Sequence, residues 1–558
     1  MARLADYFRQ FSNALRYLVR GDVAGLISRL KWYRGERSFA RLQRGVTNGD
    51  GAAWCILCTP HTFFIAQAIS ARLATHGIQN EILTGAPKNF DHDFYIILCP
   101  QMFKRLPPAN KRALFQLEQS VSSRWFTNEY ISILQESFAV IDYSLTNIKF
   151  LAEKGINYPK VHYIPIGAVH RNPDTAKAKK YDFVFYGDCR SSDRRKELLS
   201  QLQKKYNVKI CNNVFGDDMY SIIREAKAVI NIHYYEGALL EMPRISECVS
   251  LGVPVLSEGT NDQGEYPELE GGVRFFKENS AESMMSVAAE MLDDIETMNE
   301  TVRQAVSSSA ARFNFMTDRF LVAIGAIPAT SILETPIYIP GKSCLFALSL
   351  PETIERRKVI AANLPNGFEL FDGVRHSIGW IGCGASFNAM ARYTLKNKLE
   401  RLVIIEDDVR LPNDFGSVLK EISRYLDART EDWDIFSGLM ADFDPSSKVI
   451  SVEVVNNYTY VTIDRMASTV FNIYNSSALQ MLSRWNPLNT DAASNTIDRY
   501  LSSHEGLRVV VALPFIVGHA EEAVSTLWGF NNSRYTPMID KTESKIQAAV
   551  TRWSRKRH

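Results

Sequence analysis

Short apolar runs and amphipathic stretches alternate along most of the chain. AAWCILCTP (52–60) predicts a strand and HTFFIAQAISARLATHG (61–77) a helix; IQNEIL (78–83) and DFYIILCP (93–100) predict further strands. KRALFQLEQ (111–119) reads as a helix, FAVIDYS (138–144) as a strand, TNIKFLAEKG (146–155) as a helix ending at Gly155, and VHYIPIG (161–167) as a strand and exit. The alternation then restarts. YDFVFYGD (181–188), VKIC (208–211), AVINIHY (228–234) and VPVLSE (253–258) predict strands. SDRRKELLSQLQKKY (192–206), DDMYSIIREAK (217–227) and EMPRISECVSLG (241–252) predict the helices between them, and 281–323 predicts helices that complete the unit. Strands that alternate with helices imply parallel sheets with crossovers, so an α/β class with two consecutive doubly wound halves is expected. TSILETPIYIPGKS (330–343) carries Pro336 and Pro340 and breaks the pattern, which places a junction there.

Length and composition narrow the class. At 558 residues the chain has room for three or four domains at about 150 residues each. A hydrophobic content of 46% with 23% charged residues is ordinary for a well-cored protein, and a net charge of +2 gives no argument for nucleic-acid binding. No apolar run is long enough to predict a transmembrane helix, and the basic N-terminus lacks the apolar core and cleavage site of a secretory signal. Eight scattered cysteines do not form a disulfide framework; Cys55 and Cys58 form a C-x-x-C inside an apolar strand and read as buried thiols, in keeping with a reducing, cytoplasmic compartment.

The two ends are basic. Residues 1–44 hold ten Lys/Arg against three Asp/Glu, a net of 10 − 3 = +7, with Leu4, Tyr7, Phe8, Phe11, Leu15 and Leu18 at helical spacing. This reads as amphipathic helix that lies on an anionic membrane surface, or that packs on the body or on another subunit. The segment 536–558 reads as a basic C-terminal tail, a second surface anchor or a disordered end.

The densest chemistry lies in RLVIIEDDVR (401–410), where an apolar strand runs into Glu406, Asp407 and Asp408. Acids placed at a strand end repel one another and are expected to be exposed, unless a divalent cation and a diphosphate neutralise them. The flanking blocks are FALSLPETIERRKVIAANL (346–364), FELFDGV (368–374), GWIGCGASFNAM (379–390), DWDIFSGL (432–439), TVFNIYNSSALQML (469–482), NTIDRYL (495–501) and VALPFIVGHAEEAVSTL (511–527). In this order they resemble the lipooligosaccharide glycosyltransferase family, which includes the procollagen galactosyltransferases, over roughly 343–530. Where that family has Ser-His, this chain has Ser386-Phe387. The resemblance implies a GT-A-like domain (343–535) in which Glu406 and Asp408 hold Mn or Mg and Asp407 touches ribose or metal. It further implies that Arg356 contacts the nucleotide and that Asp498 is the base of an inverting transfer, with Asp491 and Glu521 as alternatives and His519 as a further metal ligand.

PRISECVSLGVPVLSE (243–258) resembles the nucleotide-sugar half of GT-B glycosyltransferases, where a Glu in E-x-x-x-x-G-x-P-V binds the donor ribose; Glu247 takes that position. Eight residues upstream, where the retaining subgroup has a second Glu, stands Leu239, with Glu236 and Glu241 as displaced candidates. The loop GDCRSSDRRK (187–196) opens a helix with Gly187, Arg190, Arg194, Arg195 and Lys196, a metal-free diphosphate site to which Arg244 adds. His61, after the first strand, is a candidate base or a structural loop residue.

The expected architecture is therefore a GT-B-like pair of Rossmann-like halves (45–167 and 168–330), a linker (331–342) and the GT-A-like domain. The expected activity is that of a bifunctional glycosyltransferase. It would use nucleotide sugars, UDP-hexoses by resemblance, to extend a lipid-linked or lipopolysaccharide glycan at the cytoplasmic face of the membrane, alone or as an oligomer. One live domain beside a degenerate glycan-binding one, or a non-catalytic assembly scaffold, are the alternatives.

Overall fold

The computed structural model describes residues 54–121, 123–170, 178–429, 432–526 and 531–555. The basic segment 1–44 lies outside the described residues. The described residues divide into two compact units, one formed by 54–320 with 335–340, the other by 321–334 with residues from 341 onward.

The first unit holds two parallel sheets. In one, β1 (Trp54–Leu57), β2 (Asn80–Leu83), β3 (Phe94–Leu98), β4 (Arg112–Gln116), β5 (Ala139–Asp142) and β6 (Val161–Tyr163) stand in the order 2-1-3-4-5-6. In the other, β7 (Tyr181–Tyr186), β8 (Val208–Cys211), β9 (Ala226–Asn231), β10 (Val255–Glu258) and β11 (Val273–Phe276) stand in the order 11-10-9-7-8. Read from β8, the second order is the same doubly wound order as the first. In each sheet the chain reverses direction of progress beside its first strand, between β1 and β3 and between β7 and β9. The helices that follow the first strands are α1 (Phe63–Thr75) and, after α2 (Asn128–Glu136) and α3 (Leu145–Glu153), α4 (Asp193–Gln203). Ser144 and Ser192 start α3 and α4 by accepting the N–H groups of Asn147 and Arg195.

One expectation fails here. KRALFQLEQ is not a helix: its centre is β4, hydrogen-bonded to β3 and β5 and buried at every position. Its polar ends mislead because they are satisfied inside the sheet. Arg112 donates to Ser137 Oγ and the Pro107 carbonyl, and Gln116 donates to Asp142 and to the Glu118 carbonyl. Short buried runs cannot be assigned by period alone.

The second unit is built on a mixed sheet of eight strands. β12 (Leu345–Ser349), β13 (Glu369–Asp372) and β14 (Leu402–Glu406) are parallel; β16 (Ile435–Ser437), β17 (Val449–Val455), β18 (Tyr458–Ile463), β19 (Phe471–Tyr474) and β20 (Val509–Leu513) complete the order 13-12-14-19-16-20-18-17. A two-stranded ribbon, β15 (Val409–Arg410) with β21 (Gly518–His519), stands beside it. The block GWIGCGASFNAM lies on a long helix, Gly379–Lys396, packed against Trp485: a Cβ at Gly384 would overlap the indole. Phe387, in the place of the family's His, is fully buried and meets Tyr474 edge-on at 6.1 Å. The segment expected to be a basic tail continues as a helix, Thr536–Arg555. It buries Thr542, Ile546 and Ala549 and ties Lys545 to Asp442 at 2.9 Å.

Candidate active sites

In the first unit, the loops that leave the carboxyl ends of the strands face a cleft of about 1010 Å³. Pro60 and His61 follow β1, Thr84 follows β2, Leu117–Gln119 follow β4 and Tyr143 follows β5. From the other sheet, Gly187 follows β7, Asn212–Gly216 follow β8 and Tyr234 and Tyr235 follow β9. Both sheets thus present their carboxyl edges to one space.

Glu247, on α6 after α5 (α5, Gly216–Arg224; α6, Met242–Ser250), is half-buried in the cleft wall. Its carboxylate accepts from the Tyr220 hydroxyl at 3.1 Å and the Tyr186 hydroxyl at 3.3 Å. Arg244, one turn earlier on α6, also lines the cleft. It pairs with Glu241 at 2.6 Å, donates to Asn231 Oδ1 at 2.5 Å, and lies over the Tyr186 ring at 5.2 Å. Burial alone would raise the Glu241 carboxyl, but Arg244, His233 and Arg195 outweigh it and hold the group well below the usual carboxylate range. Gly187 has φ +130°, and a Cβ there would come within 3.0 Å of the Arg244 guanidinium. Glycine at this point admits the arginine to the cleft wall.

The four basic residues of the loop, Arg190, Arg194, Arg195 and Lys196, do not line the cleft. Arg194 donates to the His233 carbonyl and pairs with Glu258, a fully buried carboxylate that also accepts from the His233 and Asn279 N–H groups. Arg195 is buried, bonds the Ile232 and Asp188 carbonyls and pairs with Glu241 at 3.0 Å; burial lowers its pKa to about 10. Lys196 pairs with Asp193 in solvent and Arg190 is exposed. The helix spreads consecutive cations around its axis, so two of them turn inward to meet buried acids. Arg194→Ala should therefore destabilise the first unit by about 3–5 kcal/mol, because it strands Glu258. Arg190→Ala should stay within about 0.5 kcal/mol of the parent. Denaturant melts of both variants check this; equal effects would contradict the assignment.

His61 and Glu118 reach the same cleft from the other sheet. Partial desolvation in the cleft lowers the pKa of the otherwise exposed His61, and burial raises the Glu118 carboxyl against the hydrogen bond it accepts from Gln101. Of the displaced candidates for the upstream Glu, Glu241 lines the cleft but is held by two arginines, and Glu236 is exposed outside it.

In the second unit, β14 delivers the three acids to one point. Asp407 accepts from Ser349 Oγ at 2.8 Å and pairs with Arg356, which also reaches Asp408 at 3.0 Å. Asp408 accepts from Asn532 Nδ2 at 2.9 Å and stands 3.5 Å from His519 Nε2. The ribbon explains that meeting: β15 begins just after Asp408, and Val409 pairs with His519 across it. Asp408 is buried, contrary to the expectation of an exposed acid, because Asn532 and His519 close over the strand end.

The charges are unequal. Burial and the neighbouring Asp408 raise the Glu406 carboxyl to about 8, and burial raises Asp407 despite Arg356. Burial would raise Asp408 too, but His519 and Arg356 outweigh it and hold it below the usual range. Cys383 Sγ lies 4.0 Å from Glu406. Burial pushes that thiol up, and Glu406, Asp498 and Asp408 push it further. The Asp498 carboxylate accepts from Thr496 Oγ1 at 2.7 Å. Asp491 caps the turn at 492–495 in solvent and Glu521 is exposed. Buried atoms next to the acids that have no hydrogen-bond partner include Asp408 Oδ1, His519 Nδ1 and Arg356 Nε. An open carboxylate oxygen and an open imidazole nitrogen are donors that a divalent cation takes, but among the described residues Glu406, Asp408 and His519 do not bring one ligand atom each within 4.8 Å of one another. Asn532, which bonds Asp408, and Tyr535, which meets His519 edge-on at 5.7 Å, stood outside any motif; only the fold brings them in.

No family model and no curated protein matches the chain. Among solved structures, HepE from Anabaena in complex with UDP matches 49% of this chain and 100% of its own at 11% identity and a TM-score of 0.32. A glycosyltransferase from Rickettsia africae matches 51% of this chain and 100% of its own at 12% identity and a TM-score of 0.32. Sucrose-phosphate synthase from Thermosynechococcus elongatus matches 48% of this chain and 97% of its own at 10% identity and a TM-score of 0.34. At these scores the functional reading rests on the side chains of the two sites.

Proposed function

We propose that the chain is a glycosyltransferase with a nucleotide-sugar site in each unit. The observation that carries this reading is the first cleft. Two doubly wound sheets turn their carboxyl edges and reversal points toward one space, which is where such sheets bind nucleotides. Glu247 already accepts two hydroxyl hydrogen bonds, the chemistry needed for a ribose diol, and Arg244 and Gly187 stand beside it for the diphosphate. This is the GT-B arrangement, and it needs no metal. His61 lines the cleft and would accept a proton from the acceptor hydroxyl.

The second unit supports a GT-A-like, inverting site. Glu406 and Asp408, with His519, would hold a Mn or Mg ion. Such an ion supplies charge stabilisation for the departing nucleoside diphosphate. Arg356 orients Asp407 and Asp408 through its ion pairs. Asp498 takes the proton of the acceptor hydroxyl as the acceptor oxygen bonds to the sugar and the sugar–phosphate bond breaks. The proposed acceptor is a lipid-linked or lipopolysaccharide glycan, and residues 1–44 the contact with the anionic inner face of the membrane. Among the described residues no helix is long and apolar enough to cross a membrane.

A second reading, one active unit beside a glycan-binding one, is favoured by Leu239, which stands where retaining transferases carry their first Glu and lies buried. A panel of nucleotide sugars offered to the full-length protein, with release of nucleoside diphosphate read by mass spectrometry, tests the proposal. Consumption of a donor is expected, and no consumption of any donor with any glycan acceptor would favour a scaffold.

A further inference from the structure

We propose that Cys55, Glu81 and His92 form a site for one zinc-class divalent metal ion in the first unit. Among the described residues, these are the three acid, thiol or imidazole groups whose ligand atoms all lie within 4.8 Å of one another. The sheet register makes the cluster. Cys55 on β1 stands opposite Glu81 on β2 and Tyr95 on β3, so all three side chains leave the same face. His92 precedes β3 and sets its Nε2 2.7 Å from Glu81 Oε1.

The imidazole is held in place from behind. Tyr95, fully buried, accepts from the His92 backbone N–H at 2.9 Å and stands 3.3 Å from Nδ1. One ring nitrogen thus has a fixed outer partner while the other turns toward the carboxylate and thiol, as in a metal-bound histidine with its supporting hydrogen bond. A sulfur, a nitrogen and an oxygen donor suit zinc, with water in the fourth position, and do not suit magnesium or calcium, which take oxygen. Binding converts the Cys55 S–H into an S–metal bond and releases its proton to solvent. Glu81 is about half exposed, so the ion has a path in from solvent. None of the three residues lines the donor cleft. The ion would tie the edge strand β2 to β1 and to the loop before β3, a structural role separate from transfer.

The test uses the full-length protein, stripped with a chelator and titrated with Co²⁺. One equivalent should produce thiolate-to-cobalt charge-transfer absorption, and Zn²⁺ should abolish it by displacement. His92→Gln and Glu81→Gln, both at solvent-accessible positions, should weaken binding at least about tenfold. Cys55→Ser should remove the absorption, while Cys58→Ser and Cys383→Ala should keep it. Absence of the band in the folded protein, persistence in His92→Gln with unchanged affinity, or loss in Cys383→Ala would overturn the proposal.

Discussion

Full-length protein carrying Asp408→Asn should lose the metal-stimulated transfer almost completely while remaining folded. A metal on a departing diphosphate is worth several kcal/mol, and about 1.4 kcal/mol is tenfold in rate, so a loss of at least about a hundredfold is expected. Asparagine is the appropriate substitution because the position is buried: alanine would leave the Asn532 amide without its acceptor and take from Arg356 one of its two carboxylates. An amide keeps an oxygen for Asn532 and removes the charge. Arg356→Met in parallel should raise the demand for metal, since Asp407 and Asp408 then lose the cation they share. A folded Asp408→Asn protein with undiminished, metal-stimulated turnover would remove Asp408 from the metal site.

Glu247→Gln should weaken nucleotide binding measured in the presence of EDTA, where only the metal-independent site remains. Hydrogen bonds to a charged acceptor contribute about 1.5–3 kcal/mol each, so the loss is roughly ten- to hundredfold. The glutamine still accepts from one of Tyr186 and Tyr220, which keeps the cleft wall in place. Titration calorimetry on the intact protein reads this directly. Unchanged affinity for every nucleotide that the parent binds would show that Glu247 serves only the two tyrosines.

Much of the frame is legible in the residues. Fully apolar runs such as Trp54–Leu57 and Leu402–Ile405 are strands because sheets covered on both faces need no alternation. The acids at 406–408 point to one site because a strand end fixes where its next residues go. What escaped reading depended on partners distant in sequence. Arg112 and Gln116 look like helix surface until Ser137 and Asp142 are known to wait for them inside the sheet. Arg194 and Arg195 look like phosphate ligands until Glu258 and Glu241 claim them. Asp408 looks exposed until β21 and Asn532 fold over it from more than a hundred residues away. In each case a charge met its counter-charge through the fold, a pairing that local spacing does not encode.

The central claim is that two distinct sites act on one glycan, and tethering would give the second site about millimolar effective concentration of the first site's product. The most direct measurement is product analysis with both donors and a glycan acceptor, using the parent, Glu247→Gln, Asp408→Asn, and the two variants mixed. The account predicts an alternating product from the parent, at most one addition from each variant alone, and restored elongation from the mixture. Elongation by either variant alone, or consumption of a single donor throughout, would contradict it.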